Sequence, residues 1–224
     1  MNELLFFIHT IVLVSSVLIA LRMGKEALIA IFIVQILLAN LFVTKQMICF
    51  GLNVTCCDVY TIGAVFSMNL LQVYFGKKCA NQTLKTLFFL LFVFILMSQF
   101  QLRYLPSRGD VMHGAFAEIL KVSPRIIFVS FISALLTQKL DIEWFAWLKK
   151  RLPKAPFFLP FIMTSLITQF LDTVIFTYGA LYGIMHSMKD IIVMSYLIKI
   201  VAILSIAPFT PLIKKLIPND PVQV

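Results

Sequence analysis

Charged side chains are scarce in this 224-residue chain: Asp, Glu, Lys and Arg make up 13% of it. A soluble domain carries about 25% charged and about 45–50% apolar residues. The shortage, beside 61% hydrophobic residues and a mean hydropathy of +0.98, excludes an ordinary water-soluble fold. Acidic residues are fewest, 10 against 19 Lys and Arg, for a net charge of +9. That excess does not read as a nucleic-acid surface, because no basic stripe is interleaved with exposed aromatics. Lys77-Lys78, Lys149-Lys150-Arg151 and Lys214-Lys215 instead each follow an apolar run, where membrane proteins place their cytoplasmic cations. The four cysteines, Cys49, Cys56, Cys57 and Cys79, lack C-x-x-C spacing, and His9, His113 and His186 are scattered. Both facts argue against a metal centre and leave the cysteines as small packing residues. No G-x-x-x-x-G-K-[ST] pattern is present, which excludes ATP hydrolysis by a P-loop. The sequons at Asn53 and Asn81 are too short to decide anything.

What the chain has in abundance is apolar length. Runs at about 4–21, 26–44, 57–75, 84–102, 124–147, 156–183 and 190–212 each approach or exceed the ~20 residues that cross ~30 Å of hydrocarbon. The first lacks a basic leader and a small-residue cleavage site, so it reads as a retained helix. The connection 103–122 begins with the loop residues Leu105-Pro106-Ser107-Arg108-Gly109-Asp110 and then suits a short interfacial helix. Pro208 and Pro211 kink or end the last run. The expected fold is an all-α integral membrane protein, one transmembrane domain over 1–224 with six or seven spanning helices. With the N-terminus outside, 11 Lys and Arg fall on the inner side and 6 on the outer. The positive-inside rule therefore predicts N-out, C-in.

Polar residues inside the runs form an internal repeat. Thr137-Gln138-Lys139-Leu140-Asp141 recurs as Thr168-Gln169-Phe170-Leu171-Asp172, with Phe145 and Phe176 four residues after each Asp. Gln and Asp at i and i+3 share a helix face. Ser130, Ala134, Gln138 and Asp141 make one stripe; Ser165, Gln169, Asp172, Phe176, Gly179 and Gly183 make the other. Asp172 lies near mid-span, where a carboxylate needs a partner, a bound proton or a watery cavity and marks a functional site by default. The plain alternative is that each Gln/Asp pair only hydrogen-bonds a neighbouring helix. Two pairs, with Asn40, Asn69 and Lys199 on other helices, favour a site. Carboxylates and carboxamides together match a planar heterocycle: a guanine-like edge offers adjacent N–H donors to a carboxylate and a carbonyl to Asn, Gln or Arg. Phe176 or Tyr178 would stack on its face.

These residues also carry a resemblance. Pro124-Arg125-Ile126, Ser130, Thr137-Gln138 and Asp141 resemble the first signature of the bacterial queuosine-precursor transporters, also called vitamin uptake transporters. Ser165, Thr168-Gln169, Asp172-Thr173 and Phe176 resemble the second. Asn40 with Lys45, Phe75-Gly76-Lys77-Lys78 with Ala80, and Ser195-Tyr196 with Lys199 and Pro208 are similar to further family positions. Asn69 stands where members usually have an acidic residue, and Val73 where another is often found. Phe161-Ile162-Met163 replaces a stretch that often holds Arg or Asn.

The resemblance covers about 35–215. It implies a family-like core at about 26–215 with the 4–21 helix added, and a bundle resembling the substrate-binding subunits of energy-coupling-factor transporters. It further implies import of 7-deazaguanines such as preQ0, preQ1 or queuine across the bacterial inner membrane. The substrate-binding residues would then be Asp172, Gln169, Asp141, Gln138, Asn40 and Asn69, with Arg125, Ser130, Ser165, Lys199 and Phe176. No cofactor, metal or catalytic residue is expected. The expected partners are the small-molecule base and the lipid bilayer, not nucleic acid, with a homo-oligomer left open. One alternative is a substrate-binding subunit for another vitamin, served by a separate ATP-driven module, which would co-purify with ATPase subunits. An intramembrane aspartyl protease would show Gly-x-Gly-Asp, whereas Phe170-Leu171 precede Asp172.

Overall fold

The computed structural model describes residues 1–42, 45–49, 51–55, 57–120, 124–156, 158–182 and 188–206. Cys56, Gly183, His186, Pro208, Pro211 and Lys214-Lys215 lie outside these residues.

Helix α1 (Asn2–Met23) ends at Gly24, whose φ of 117° suits glycine alone, and α2 (Lys25–Phe42) starts directly after it. A short antiparallel hairpin follows, β1 (Gln46–Cys49) against β2 (Leu52–Thr55), with Gly51 at φ 74° in its turn. The side chain of Asn2 donates to Ile48 O at 2.7 Å and ties the hairpin to the start of α1. This hairpin is the departure from an all-helical reading. It occupies the gap between the second and third apolar runs.

Helix α3 (Asp58–Arg103) runs 46 residues. At 1.5 Å per residue it would reach about 70 Å if straight, twice the hydrocarbon thickness. It is broken at Gly76, φ 83° and ψ 160°, between the third and fourth apolar runs. Short α4 (His113–Leu120) is started by Asp110, whose Oδ1 accepts from the N–H groups of Met112 and His113 at 2.9 and 3.1 Å. It lies where the sequence predicts a short helix. Then come α5 (Pro124–Arg151), α6 (Phe158–Phe176) with a π-helical turn continuing it over Thr177–Leu181, and α7 (Met188–Ile206).

Among the described residues, Asn2–Met23, Lys25–Phe42, Asp58–Arg103 and Phe158–Ala180 are long and apolar enough to cross a membrane. Helix α5 is long but interrupted by Lys139, Asp141 and Glu143. Two of these face a polar cluster rather than the core: Lys77 Nζ is 2.6 Å from Glu143 Oε2, and Lys139 Nζ is 2.6 Å from Asn81 Oδ1. Helix α1 shows how a membrane helix divides its surface. Val14 and Val17 are fully buried, while Leu4, Ile8 and Val12 are exposed apolar side chains. A helix apolar all round fits hydrocarbon on one side and protein on the other.

Helix α1 is also part of the bundle rather than an appendage. It packs on α2, α3 and α7. A Cβ placed on Gly63 of α3 would run into Leu13 of α1 and lie 3.1 Å from Gln35 Oε1 of α2. Three helices meet where only a hydrogen fits.

Candidate substrate-binding site

Helices α5 and α6 carry the two copies of the repeat and pack side by side. Ser133 of α5 donates to Asp172 Oδ1 of α6 at 2.7 Å. In the other direction, Thr164 and Thr168 of α6 hydrogen-bond Asp141 of α5, the Thr168 contact at 3.3 Å. Farther along, Val129 of α5 meets Gly179 of the π-helical turn. As the residue number rises on one helix it falls on the other, so the pair is antiparallel.

The arrangement is nearly two-fold symmetric. Ser133 stands four residues before Thr137 as Thr164 stands four before Thr168, and each hydroxyl reaches the other helix's aspartate. Thr137 Oγ1 donates to Ser133 O at 2.8 Å, as Thr168 Oγ1 does to Thr164 O at 3.0 Å. The third partner breaks the symmetry. Asp141 accepts from the neutral carboxamide of Asn69 on α3, at 2.9 Å. Asp172 instead pairs with the ammonium of Lys199 on α7, at 2.8 Å. The mid-span Asp172 is therefore not a lone carboxylate. It holds one partner on each oxygen and has lone pairs to spare.

The described members of the expected site fall into three places. Asp141, Asn69, Gln138, Ser165 and Gln169 are buried between α3, α5 and α6. Asp172 and Lys199 meet between α6 and α7, the Asp172 side chain 18% exposed. Asn40, Ser130 and Phe176 line a largely apolar cavity of about 60 Å³ with Phe94, Phe131 and Ile119. Ser130 Oγ donates to Asn40 Oδ1 at 3.0 Å at its edge. Phe176, which lines the cavity, lies one helical turn beyond Asp172 on α6. Arg125 sits in the first turn of α5, and its side chain lies outside the described residues.

Burial leaves acceptors open. Asn69 Oδ1, Gln72 Oε1, Gln138 Oε1 and Gln169 Oε1, with Ser165 Oγ, are buried without a hydrogen-bond partner among the described residues. Buried polar atoms are rarely left so. The amide of Gln72 is meanwhile used, donating to Ile142 O at 2.8 Å. The carboxamide oxygens only accept, so what they want is a donor.

Three polar residues were not expected in the site. Ser133 is recoverable from the sequence, since extending the repeat four residues upstream aligns it with Thr164. Gln72 shares the third run with Asn69. Asp58, buried at the start of α3 and facing Lys199, reads in sequence as the polar end of a run.

A family model described as "Putative vitamin uptake transporter" matches residues 58–213. The "Probable queuosine precursor transporter" of Bacillus subtilis (strain 168) is 28% identical over 185 residues, 81% of this chain and 81% of that protein. No solved structure matches the chain. The family match takes in α3, both Gln/Asp helices and α7, more than half of the chain, and the protein belongs to the vitamin uptake transporter family.

Proposed function

We propose that this chain is a transporter, not an enzyme, and that it imports 7-deazaguanine precursors of queuosine (preQ0, preQ1 or queuine) across the bacterial inner membrane. The observation that carries the ligand class is the set of buried acceptors that have no partner among the described residues: Asn69 Oδ1, Gln72 Oε1, Gln138 Oε1 and Gln169 Oε1. Acceptors beside two carboxylates call for a ligand dense in N–H donors. A 7-deazaguanine presents ring N–H and exocyclic NH₂ on one edge, which a carboxylate accepts as a pair. The name of the Bacillus subtilis relative points to the same substrate class.

In this reading Asp172 takes the donor edge, since its side chain is the more accessible of the two acids. Gln138 and Gln169 fix the base's orientation, and Phe176 covers its face. Asn40, Ser130 and Arg125 belong to the approach through the cavity. Six or seven spans with the N-terminus outside and the C-terminus cytoplasmic, in a bundle like the energy-coupling-factor substrate subunits, complete the proposal.

The test is complementation. A bacterium unable to make queuosine, expressing this chain, is given preQ0, preQ1 or queuine in turn, and its tRNA is assayed for the modification. Restoration by at least one precursor is expected. No restoration by any of them, with the protein present in the membrane, would sink the ligand assignment.

A further inference from the structure

Lys199 is one buried ammonium set against two carboxylates, the buried Asp58 and the partly exposed Asp172. Its Nζ lies 2.8 Å from Asp172 Oδ2. It also interacts with Asp58 at the start of α3, and the two acids act on each other. Asp58 is 3% exposed. Ser195 of α7 hydrogen-bonds its side chain, yet its Oδ2 has no partner among the described residues. With all three groups ionised the cluster carries one net negative charge. Ile62, one helical turn after Asp58, and Ile198, next to Lys199 in sequence, are both fully buried.

An unbalanced charge and an unpartnered carboxylate oxygen are both strongly unfavourable in such a place. A metal cation would relieve them only with several further oxygen ligands, and no group of three or more His, Cys, Asp or Glu is assembled among the described residues. One proton relieves them with no space required. On Asp58 it gives a neutral acid, leaves Lys199 to Asp172, and brings the cluster to zero charge.

We infer that Asp58, Lys199 and Asp172 form a site for one exchangeable proton, held on Asp58 while Lys199 is paired with Asp172. Among the described residues, the titratable groups around this end of α3 include the Cys57 thiol, which also acts on Lys199, the phenol of Tyr60, and His9 of α1, whose ring packs edge-on to Tyr60. Asp141 belongs to a separate set held by Asn69 and the α6 threonines. The site has a consequence that rests on the function proposed above. When a ligand's donor edge occupies Asp172, its paired N–H groups take over from the ammonium in stabilising that carboxylate, and Lys199 turns to Asp58, whose O–H bond breaks and whose proton passes to water. Ligand binding and proton release are then one exchange, and binding tightens as pH rises.

Infrared titration of the purified protein in lipid nanodiscs tests the proton site without any ligand. The reading is the carbonyl stretch of protonated carboxylic acids. One such band in the parent should vanish in Asp58→Asn. The same band should vanish in Asp172→Asn, because Lys199 then neutralises Asp58 without a proton, and it should survive Asp141→Asn. Persistence of the band in Asp172→Asn, or a parent whose carboxylic-acid signal is removed only by Asp141→Asn, overturns the inference. Should Asp58→Asn fail to fold, the Asp172→Asn and Asp141→Asn pair still decides. A separate arm measures preQ1 binding to the parent across pH. Affinity that rises with pH supports the exchange. Firm binding that does not change with pH overturns the exchange while leaving the band pattern to judge the proton site. No binding at any pH counts against the proposed substrate.

Discussion

Asn69 Nδ2 donates to Oδ2 of Asp141 over 2.9 Å, joining α3 to α5 inside the bundle, and its own Oδ1 has no partner among the described residues. One side chain therefore does two things: the amide half holds a buried acid, and the carbonyl half stays open. Asn69→Ala removes both. Leaving a buried acceptor short of a donor costs about 1–3 kcal/mol, more for a charged one, so a lowered thermal midpoint is expected. Asn69→Ala with an unchanged melt would mean that Asp141 does not depend on this bond.

Gln138 and Gln169 should behave differently. Their Oε1 atoms have no partner among the described residues, so truncation removes no bond to those atoms. Gln138→Ala and Gln169→Ala are expected to melt within about 1 kcal/mol of the parent, yet to bind substrate about tenfold or more weakly, since a hydrogen bond to the ligand contributes roughly 0.5–1.5 kcal/mol and an unpaired group costs more. Thermal shift and equilibrium binding on the same samples separate the two effects. Full affinity in both mutants would return the pair to ordinary helix packing.

The ion pair predicts an asymmetry. Removing one partner of a buried pair typically costs ~3–5 kcal/mol because the other is left uncompensated. Lys199→Met leaves the Asp172 carboxylate without a counter-ion beside a protonated Asp58, whereas Asp172→Asn leaves Lys199 free to pair with Asp58, which still faces it. Lys199→Met should therefore lower stability more than Asp172→Asn, read as denaturation midpoints in matched lipid. For substrate the order reverses in kind: Asp172→Asn keeps the shape but replaces an acceptor with a donor, which opposes the ligand's N–H pair, while Asp172→Glu keeps the acceptors. Equal losses of stability, or Asp172→Asn importing like the parent, would contradict these roles.

Much of this architecture is written in the sequence because hydrocarbon imposes a coarse rule, long apolar runs with charges between them. The antiparallel Gln/Asp helices are visible for a second reason, since an internal repeat marks equivalent positions without any knowledge of contacts. What the runs do not carry is partnership across distance. Nothing local links Lys199 to Asp172, or Asp58 to either, because each pairing depends on how α3, α6 and α7 are placed. The hairpin at 46–55 was missed for a related reason: two strands of four residues are too short to impose a period on the sequence. The polar middle of α5 is explained only once Lys77 and Asn81 are seen to receive Glu143 and Lys139.

The last prediction concerns α1, which precedes the segment matched by the family. A dispensable addition would tolerate change at its contact with the bundle, but Gly63 argues that α1 is fitted closely. At that position α3 has no Cβ, and one added there would collide with Leu13 of α1 and crowd Gln35 Oε1 at 3.1 Å. Small residues at helix crossings let backbones approach, and in lipid such packing is a main source of association. Gly63→Ala is therefore expected to destabilise by roughly 1–3 kcal/mol, the usual range for overpacking. Leu13→Ala alone should also destabilise, by leaving a cavity. The double mutant should be less unstable than the sum of the two, because the small side chain on α1 makes room for the new methyl on α3. Melting the parent, both single mutants and the double mutant in the same lipid gives the coupling directly. Strict additivity would mean that α1 does not seat on Gly63.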